Sequence, residues 1–583
     1  VLIGKGWLNQ PVRAALYIDT ARDMRPRQLI FRTRRLVPPV VLATGLKTAD
    51  PAEARWVASG LGVDPAPQFG PAPLPHEDRA VSALGIRREV DRQDFWTDPG
   101  DGLLFLFHLH GFAELARYAA GLRTPAGDRF WAELIEDWLV RQRQPRAPAW
   151  HPYPTSERII AWSAALSAIG SWPEALRLRV AAEVWRQSAY LARCVEHDIG
   201  GNHVLRNATA LTFAGAAFPR TRLLDQALAL LQRETARQFL ADGAHEERST
   251  SYHRRAQHDL DEVADLLARS KRSPPRWLAD AGARGARWQA RLAGPDRRLP
   301  LLNDAWEGPP LAGGAQSGAQ ANPNVVGPGE AGYLVLSSGA DQVVFDLGPL
   351  CPAHLPAHAH ADALSFVLWL DGRPLIVDPG SGLYEGPLRA RLRATAAHNT
   401  VEVDGTDQCV LWGSFRASHL PRVRHTEPRQ DREAIAVAGA HNGYRRLPDR
   451  VTHHRALVWA PSVGLVVVDR LGAERPHRVR STLHLAPGVD VTERGATSGA
   501  TIGALGEGAS MRREAGIYSP YLGSTVSAPV LQDTRTVDPW QLFGWSILRP
   551  GWRTGALSAA SVILERDDAV TITVALPWVS RRL

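Results

Sequence analysis

The sequence predicts a multidomain α+β protein, a helical N-terminal half followed by a large antiparallel β-domain. Three observations carry this reading. Apolar residues of the first half recur at helical spacing, and those of the second half recur at a period of two. Between them, EGPPLAGGAQSGAQANPNVVGPGEAG at 307–332 has the Gly, Pro, Ala and Gln content of a linker or mobile loop. A chain of 583 residues is also too long for one core, so two domains are the natural expectation.

In the helical half, 103–121 and 127–143 read as amphipathic helices. Val204, Ala208 and Leu211 keep the same spacing, as do Leu224, Ala227, Leu228 and Leu231, and then Leu260, Val263 and Leu267. Pro and Gly punctuate the pattern at 145–154 and 171–173. Helices of this length with short breaks suggest a toroid or solenoid of helical hairpins, although no sequence repeat is evident. In the second half, strands are expected at Tyr333 to Leu336, Val343 to Phe345, Leu364 to Leu370 and Pro374 to Asp378. Asp371-Gly372 supplies the turn between the last two. RALVWAPSVGLVVVDRL (455–471) reads as a hairpin and TITVAL (571–576) as a closing strand.

Composition narrows the function. With 44% apolar and 22% charged residues the chain is an ordinary globular protein, and 50 Gly and 43 Pro are too few for a collagen-like or low-complexity one. The net charge is +8 and the pI about 9.7. Only Lys5, Lys47 and Lys271 are lysines, so 65 of the 68 basic residues are arginine. Coding in a GC-rich genome is the plain reading. The functional one is an anionic partner, because guanidinium forks match carboxylate and sulfate in pairs. No zinc-finger spacing, Walker-type loop or long basic run points to nucleic acid. Cys194, Cys351 and Cys409 are far apart in sequence and read as buried thiols. No apolar run reaches the roughly 20 residues of a membrane span. The opening VLIGKGWLNQ lacks a signal peptide's apolar region. A chain that began after a removed signal would be periplasmic or secreted, and otherwise cytoplasmic.

The densest polar cluster is HLPAHAHADALSF (354–366). His358, His360 and Asp362 alternate with alanines, so an extended backbone would put them on one face. Asp378 follows at the end of the next strand, and His398 lies in AAHNTVEVDG. Two imidazoles and a carboxylate from neighbouring strands suit Zn²⁺ and leave a fourth position open, against the plainer reading of surface histidines in a loop. On the helical side, Gly201-Asn202-His203 opens a helix, where Asn202 or His203 could serve as a cap. Tyr252-His253 follows EERSTS at another helix start, a place where tyrosine is usually packing.

These motifs together resemble the heparinase II/III superfamily of polysaccharide lyases. The resemblance rests on WHPYPTSERIIAW (150–162), GNHVLRNATALTFAG (201–215), EERSTSYHR (246–254), LPLLNDA (299–305), HAHADALSFVLWLDGRPLIVDPGSGLY (358–384), RATAAHNTVEVDGTDQ (393–408) and WGSFR (412–416). It implies an N-terminal (α/α) incomplete toroid over about 1–310 and a C-terminal antiparallel β-sandwich domain over 311–583, with substrate between them. It further implies cleavage of a uronic-acid-containing acidic polysaccharide (glycosaminoglycan, alginate or bacterial exopolysaccharide) by β-elimination.

By the same resemblance, Asn202 and His203 neutralise the uronate carboxylate, and Tyr252 and His358 are catalytic. Tyr384 is the counterpart of a second active-site tyrosine. His360, Asp378 and His398 match zinc ligands, the metal holding loops in place more than reacting. Arg206 stands where many relatives carry an acidic residue and, with Arg393, Trp412 and Arg416, is a candidate for substrate contact. Two alternatives are an (α/α)-toroid glycoside hydrolase, for which Glu246, Glu247 and Asp304 are the available carboxylates, and a non-catalytic exopolysaccharide-binding protein.

Overall fold

A computed structural model describes residues 11–34, 36–46, 48–57, 75–312, 323–431 and 434–580. The opening decapeptide and residues 313–322 of the expected linker lie outside them. The chain forms two compact units. One, helical, comprises Met24–Glu246 and Tyr252–Arg287; the other, rich in strands, comprises Val1–Asp23, Glu247–Ser251 and Trp288–Leu583.

The helical unit is built on Pro125–Arg141, Pro152–Ala168, Glu174–Arg193, Gly201–Ala217, Leu223–Gln238 and Thr250–Arg269. Local chemistry sets several starts. Pro125 is preceded by Thr124, whose hydroxyl accepts from Gly127 N at 3.0 Å, and Pro152 by His151, whose Nδ1 accepts from Tyr153 N at 3.3 Å. The expected single helix over 103–121 is two, Leu103–Gly111 and Ala113–Ala120, because Phe112 takes φ +57° and breaks the ladder. That strain is held by burial of its ring against Trp96, Trp138 and Trp162. The core is unusually aromatic, with Trp131, Trp138, Trp150 and Trp162 fully buried. Gly215 lets Gly201–Ala217 approach Leu223–Gln238, since a Cβ there would sit 2.5 Å from Leu224 N.

In the strand-rich unit, Asn324–Val326, Tyr333–Ser338, Asp341–Asp346, Phe366–Leu370 and Arg373–Ile376 form a five-stranded antiparallel meander. Its last turn places both Asp371 and Gly372 at positive φ, as the Asp-Gly pair predicts. A seven-stranded sheet centres on Ala434–His441, Thr452–Ala460, Gly464–Gly472 and Phe543–Leu548. Leu336, Phe345 and Phe366 of the first sheet share a core with Ile435, Leu457, Trp459, Val467 and Trp545 of the second. The 452–472 hairpin is buried along both strands, so Ala456–Ala460 and Leu465–Val468 read as unbroken apolar runs instead of alternating, while His453, Arg455 and Asp469 are buried as a bonded group. Among the described residues, no helix is long and apolar enough to cross a membrane.

Candidate active site

In the helical unit the candidates Asn202, His203 and Arg206 lie in the first two turns of Gly201–Ala217. Gly200 and Gly201 both take positive φ, and Gly200 is the N-cap without a side-chain bond. Neither Asn202 nor His203 caps, contrary to expectation: the glycine backbone turns the chain, and both residues already lie within the first helical turn. Asn202 is buried. His203 Nδ1 is 3.1 Å from Glu196 Oε1, and its ring lies 4.8 Å from that of Tyr153. Glu196 is itself held by Asn207, whose Nδ2 donates to Oε2 at 3.1 Å and whose Oδ1 accepts from Glu196 N at 2.9 Å. Glu196 escaped the sequence analysis, because nothing in RCVEHDIGG marks its carboxylate as the partner of a residue seven positions on.

Arg206 is a correction. It is 8% exposed, and its fork is committed to protein carboxylates: Nε and Nη2 each donate to Glu157 at 2.9 Å, and Nη1 to Asp259 at 2.6 Å and Glu262 at 3.1 Å. Burial would raise the Glu157 carboxyl, but Arg206 and Arg255 outweigh it and bring it to about 2. Burial keeps Asp259 and Glu262 above their usual range despite the same guanidinium. Arg206 is a buried structural centre and not a free contact for substrate. Arg206→Met should therefore destabilise the fold by about 3–5 kcal/mol by stranding three acids, read as a lower urea midpoint. An unchanged midpoint would refute the assignment.

Tyr252 is the third residue of Thr250–Arg269, its side chain 7% exposed. The residues just before it are fixed side chain to backbone within the strand-rich unit: Thr250 Oγ1 donates to Pro300 O at 2.6 Å and Ser251 Oγ to Trp306 O at 2.9 Å.

In the strand-rich unit, His358 ends the short 3₁₀ turn Pro356–His358, so the expected extended alternation with His360 and Asp362 does not form. A residue named only as a hydrolase candidate, Asp304, sits at the centre instead. Its carboxylate meets His358 Nδ1 at 2.8 Å, His360 Nε2 at 2.9 Å and both terminal nitrogens of Arg389, Nη2 at 2.8 Å. Burial alone would raise the Asp304 carboxyl; Arg389 and the two imidazoles hold it well below the carboxylate range. The other nitrogen of His358 lies 3.4 Å from Glu247 Oε2. Tyr384 is buried with its ring 6.3 Å from that of His358, and the Arg389 guanidinium is 5.1 Å from the Tyr384 ring. Arg389 was missed because its partner stands 85 residues earlier in the chain.

His360, Asp378 and His398 come together as the sequence suggested, with one ligand atom from each within 4.8 Å of the others. His398 Nδ1 meets Asp378 Oδ2 at 2.7 Å. The donors fit a metal on a structural test: His360 Nδ1 and His398 Nε2 are buried without a hydrogen-bond partner, an arrangement costly unless something else is bound. Burial lowers His360 to about 4, so its ring is neutral and ready to coordinate. Asp304 on its far nitrogen is the supporting carboxylate that metal-bound histidines commonly carry.

The remaining candidates, Arg393, Trp412 and Arg416, each have partners within the strand-rich unit. Arg393 is buried and donates to Ala359 O at 2.9 Å and to backbone carbonyls of 413, 414 and 416. Trp412 packs edge-on to Tyr17 at 4.8 Å, and the Arg416 guanidinium covers both rings at 4.7 and 5.0 Å.

The sequence matches Heparinase II/III N-terminus over residues 106–312 and Heparinase II/III-like, C-terminal over 322–534. The chain belongs to the heparinase II/III superfamily of polysaccharide lyases. Among solved structures, heparinase III shares the fold with a TM-score of 0.70 at 16% identity, over 92% of each chain. Heparan sulfate lyase HepC from Pedobacter heparinus does so with a TM-score of 0.55 at 17% identity, over 90% of this chain and 92% of its own. The expected class, an (α/α) toroid followed by an antiparallel β-sandwich, is the fold observed. An alginate lyase of Stenotrophomonas maltophilia (strain K279a) is 30% identical over 142 residues, which span 22% of this chain and 18% of that relative.

Proposed function

We propose that the protein cleaves an acidic, uronate-containing polysaccharide by β-elimination, leaving an unsaturated uronate end. The supporting observation is how the acidic residues are committed. A hydrolase needs one carboxyl free to protonate the leaving oxygen and another to activate water or attack. Here Asp304 is held by Arg389, His358 and His360, Glu247 faces His358, and Glu246 lies 3.6 Å from Arg25 and 3.8 Å from Arg237. None of these three carboxylates is left free, and the Tyr, His and Asn side chains among the candidates suit elimination.

The C5 proton of a uronate is weakly acidic because an ionised carboxylate sits beside it. Asn202 and His203 donate to that carboxylate, so charge can spread onto its oxygens as the proton leaves, an effect worth roughly 3–4 kcal/mol per well-placed donor. The electron pair of the C5–H bond becomes the C4–C5 double bond, the C4–O4 bond breaks, and O4 takes a proton. Tyr252 performs both transfers when proton and leaving group share a face of the ring. His358, oriented by Asp304, takes the C5 proton when they do not, and Tyr384 stands beside it as the second tyrosine.

Held by His360, Asp378 and His398, Zn²⁺ would supply a fixed cross-link that sets the aim of the segments bearing His358 and Tyr384. His360→Ala should lower bound metal and thermal stability together. Full metal occupancy in that variant would remove His360 from the ligand set.

The test of the function is ultraviolet absorbance of the unsaturated product on heparan, hyaluronan, chondroitin, alginate and glucuronan. Rising absorbance with chain cleavage supports elimination. Cleavage without absorbance indicates hydrolysis, and binding without cleavage a non-catalytic protein.

A further inference from the structure

Phe415 is an exposed aromatic ring, 38% accessible, among neighbours Leu411, Trp412, Arg416 and Leu420 that are each half-buried. It sits at the tip of the hairpin formed by Val410–Trp412 and Arg416–Ser418, in which Arg416 stands opposite Trp412. The flanking Trp412 and Arg416 are engaged with Tyr17, so they do not cover it.

The tip is held rigidly. Arg389 Nε donates to Ser414 O at 3.0 Å, Arg393 Nη1 to Gly413 O at 3.3 Å and Ser414 O at 3.1 Å, and Arg393 Nη2 to Arg416 O at 3.4 Å. Both arginines are buried on Gly386–Arg393. The Phe415 ring lies 5.4 Å from that of Tyr384 at 66°, and the Arg389 guanidinium is 5.7 Å from its centre. Arg389 is the residue that clamps Asp304, and Asp304 orients His358. One buried side chain therefore sets both the histidine and the tip that carries the exposed ring.

An exposed apolar ring is costly in water, and a hairpin tip needs no phenylalanine to turn. A ring held this firmly loses little entropy when something stacks on it. We propose that Phe415 is a sugar platform, its exposed face receiving the apolar C–H face of the pyranose next to the one that reacts at His358. The ring offers no hydrogen-bond donor and no charge, so it selects a flat C–H surface and leaves the uronate carboxylate to the polar groups. This subsite rests on the lyase reading of the same site.

The test uses the full-length protein and whichever of the five polymers gives the unsaturated product. Phe415→Ala should raise KM roughly 3- to 10-fold, the range expected for one lost aromatic stacking contact, with kcat within about twofold and Tm unchanged. Phe415→Tyr, which keeps the π-face, should restore KM. An unchanged KM in Phe415→Ala overturns the platform and leaves the lyase reading standing. So does a fall in kcat alone, which would show that Phe415 acts only through Tyr384. If the wild type cleaves none of the polymers, the lyase reading fails, and tryptophan-fluorescence titration with the same polymers decides the platform separately. Weaker binding by Phe415→Ala then supports it; equal binding, or none by either protein, overturns it.

Discussion

Replacing Tyr252 by phenylalanine should lower kcat by roughly 10²–10⁴-fold, the usual contribution of a positioned acid–base group, while KM changes little. The ring is almost wholly buried near the start of Thr250–Arg269, so phenylalanine keeps its packing and removes only the hydroxyl. An interaction made chiefly in the transition state disappears from kcat and not from KM. His358→Ala separates the stereochemical cases. It should be nearly as damaging on a substrate that eliminates from opposite faces and milder on one that eliminates from the same face. Steady-state kinetics on the best polymer of the panel measures both. Near-normal turnover by Tyr252→Phe would refute the mechanism while leaving the family membership intact.

Replacing Arg389 by methionine should destabilise the fold by about 3–5 kcal/mol, the cost typical of stranding one member of a buried ion pair. Asp304 would keep two imidazoles but lose its permanent cation, at a position with no access to water. The pH dependence gives a second readout. The Asp304 carboxyl is depressed in the folded state, chiefly by Arg389 working against burial. Its contribution is therefore complete above the unfolded carboxylate value of about 4, and is lost only as pH falls through the much lower folded value. In Arg389→Met that depression shrinks, so acid unfolding should begin nearer neutrality. Urea denaturation at pH 7 and an acid titration followed by circular dichroism measure the two effects. A wild-type urea midpoint together with a wild-type acid limb would show that the imidazoles alone neutralise Asp304. Because the same guanidinium also holds the Ser414 carbonyl, the variant should loosen the hairpin that carries Phe415.

The possible metal-ligand cluster was legible without coordinates, for reasons local to the chain. His360, Asp378 and His398 stood out because polar ligand-forming residues interrupted strongly apolar strands, and they do converge. The Asp371-Gly372 turn was readable because few residue pairs tolerate two successive positive φ angles. Arg206, by contrast, looked like a substrate contact only while its neighbours were unknown. Its partners Glu157, Asp259 and Glu262 lie 49 to 56 residues away and carry no mark in the sequence. The commitments of Arg393 were equally hidden: a basic residue reads as available until the carbonyls that occupy it are placed.

By itself the sequence determined the helical half, the antiparallel half and the residues able to hold a metal, because periodicity, turn chemistry and ligand type act over a few neighbouring positions. Only the tertiary structure decided that Asp304 is the centre joining His358, His360 and Arg389, that Glu196 orients His203, and that the exposed ring of the WGSFR hairpin is Phe415. The physical reason is that burial and ion pairing depend on which distant segments meet. A charged side chain becomes a scaffold or a working group according to whether its donors are already satisfied, and that is settled by packing across the fold rather than by spacing along the chain.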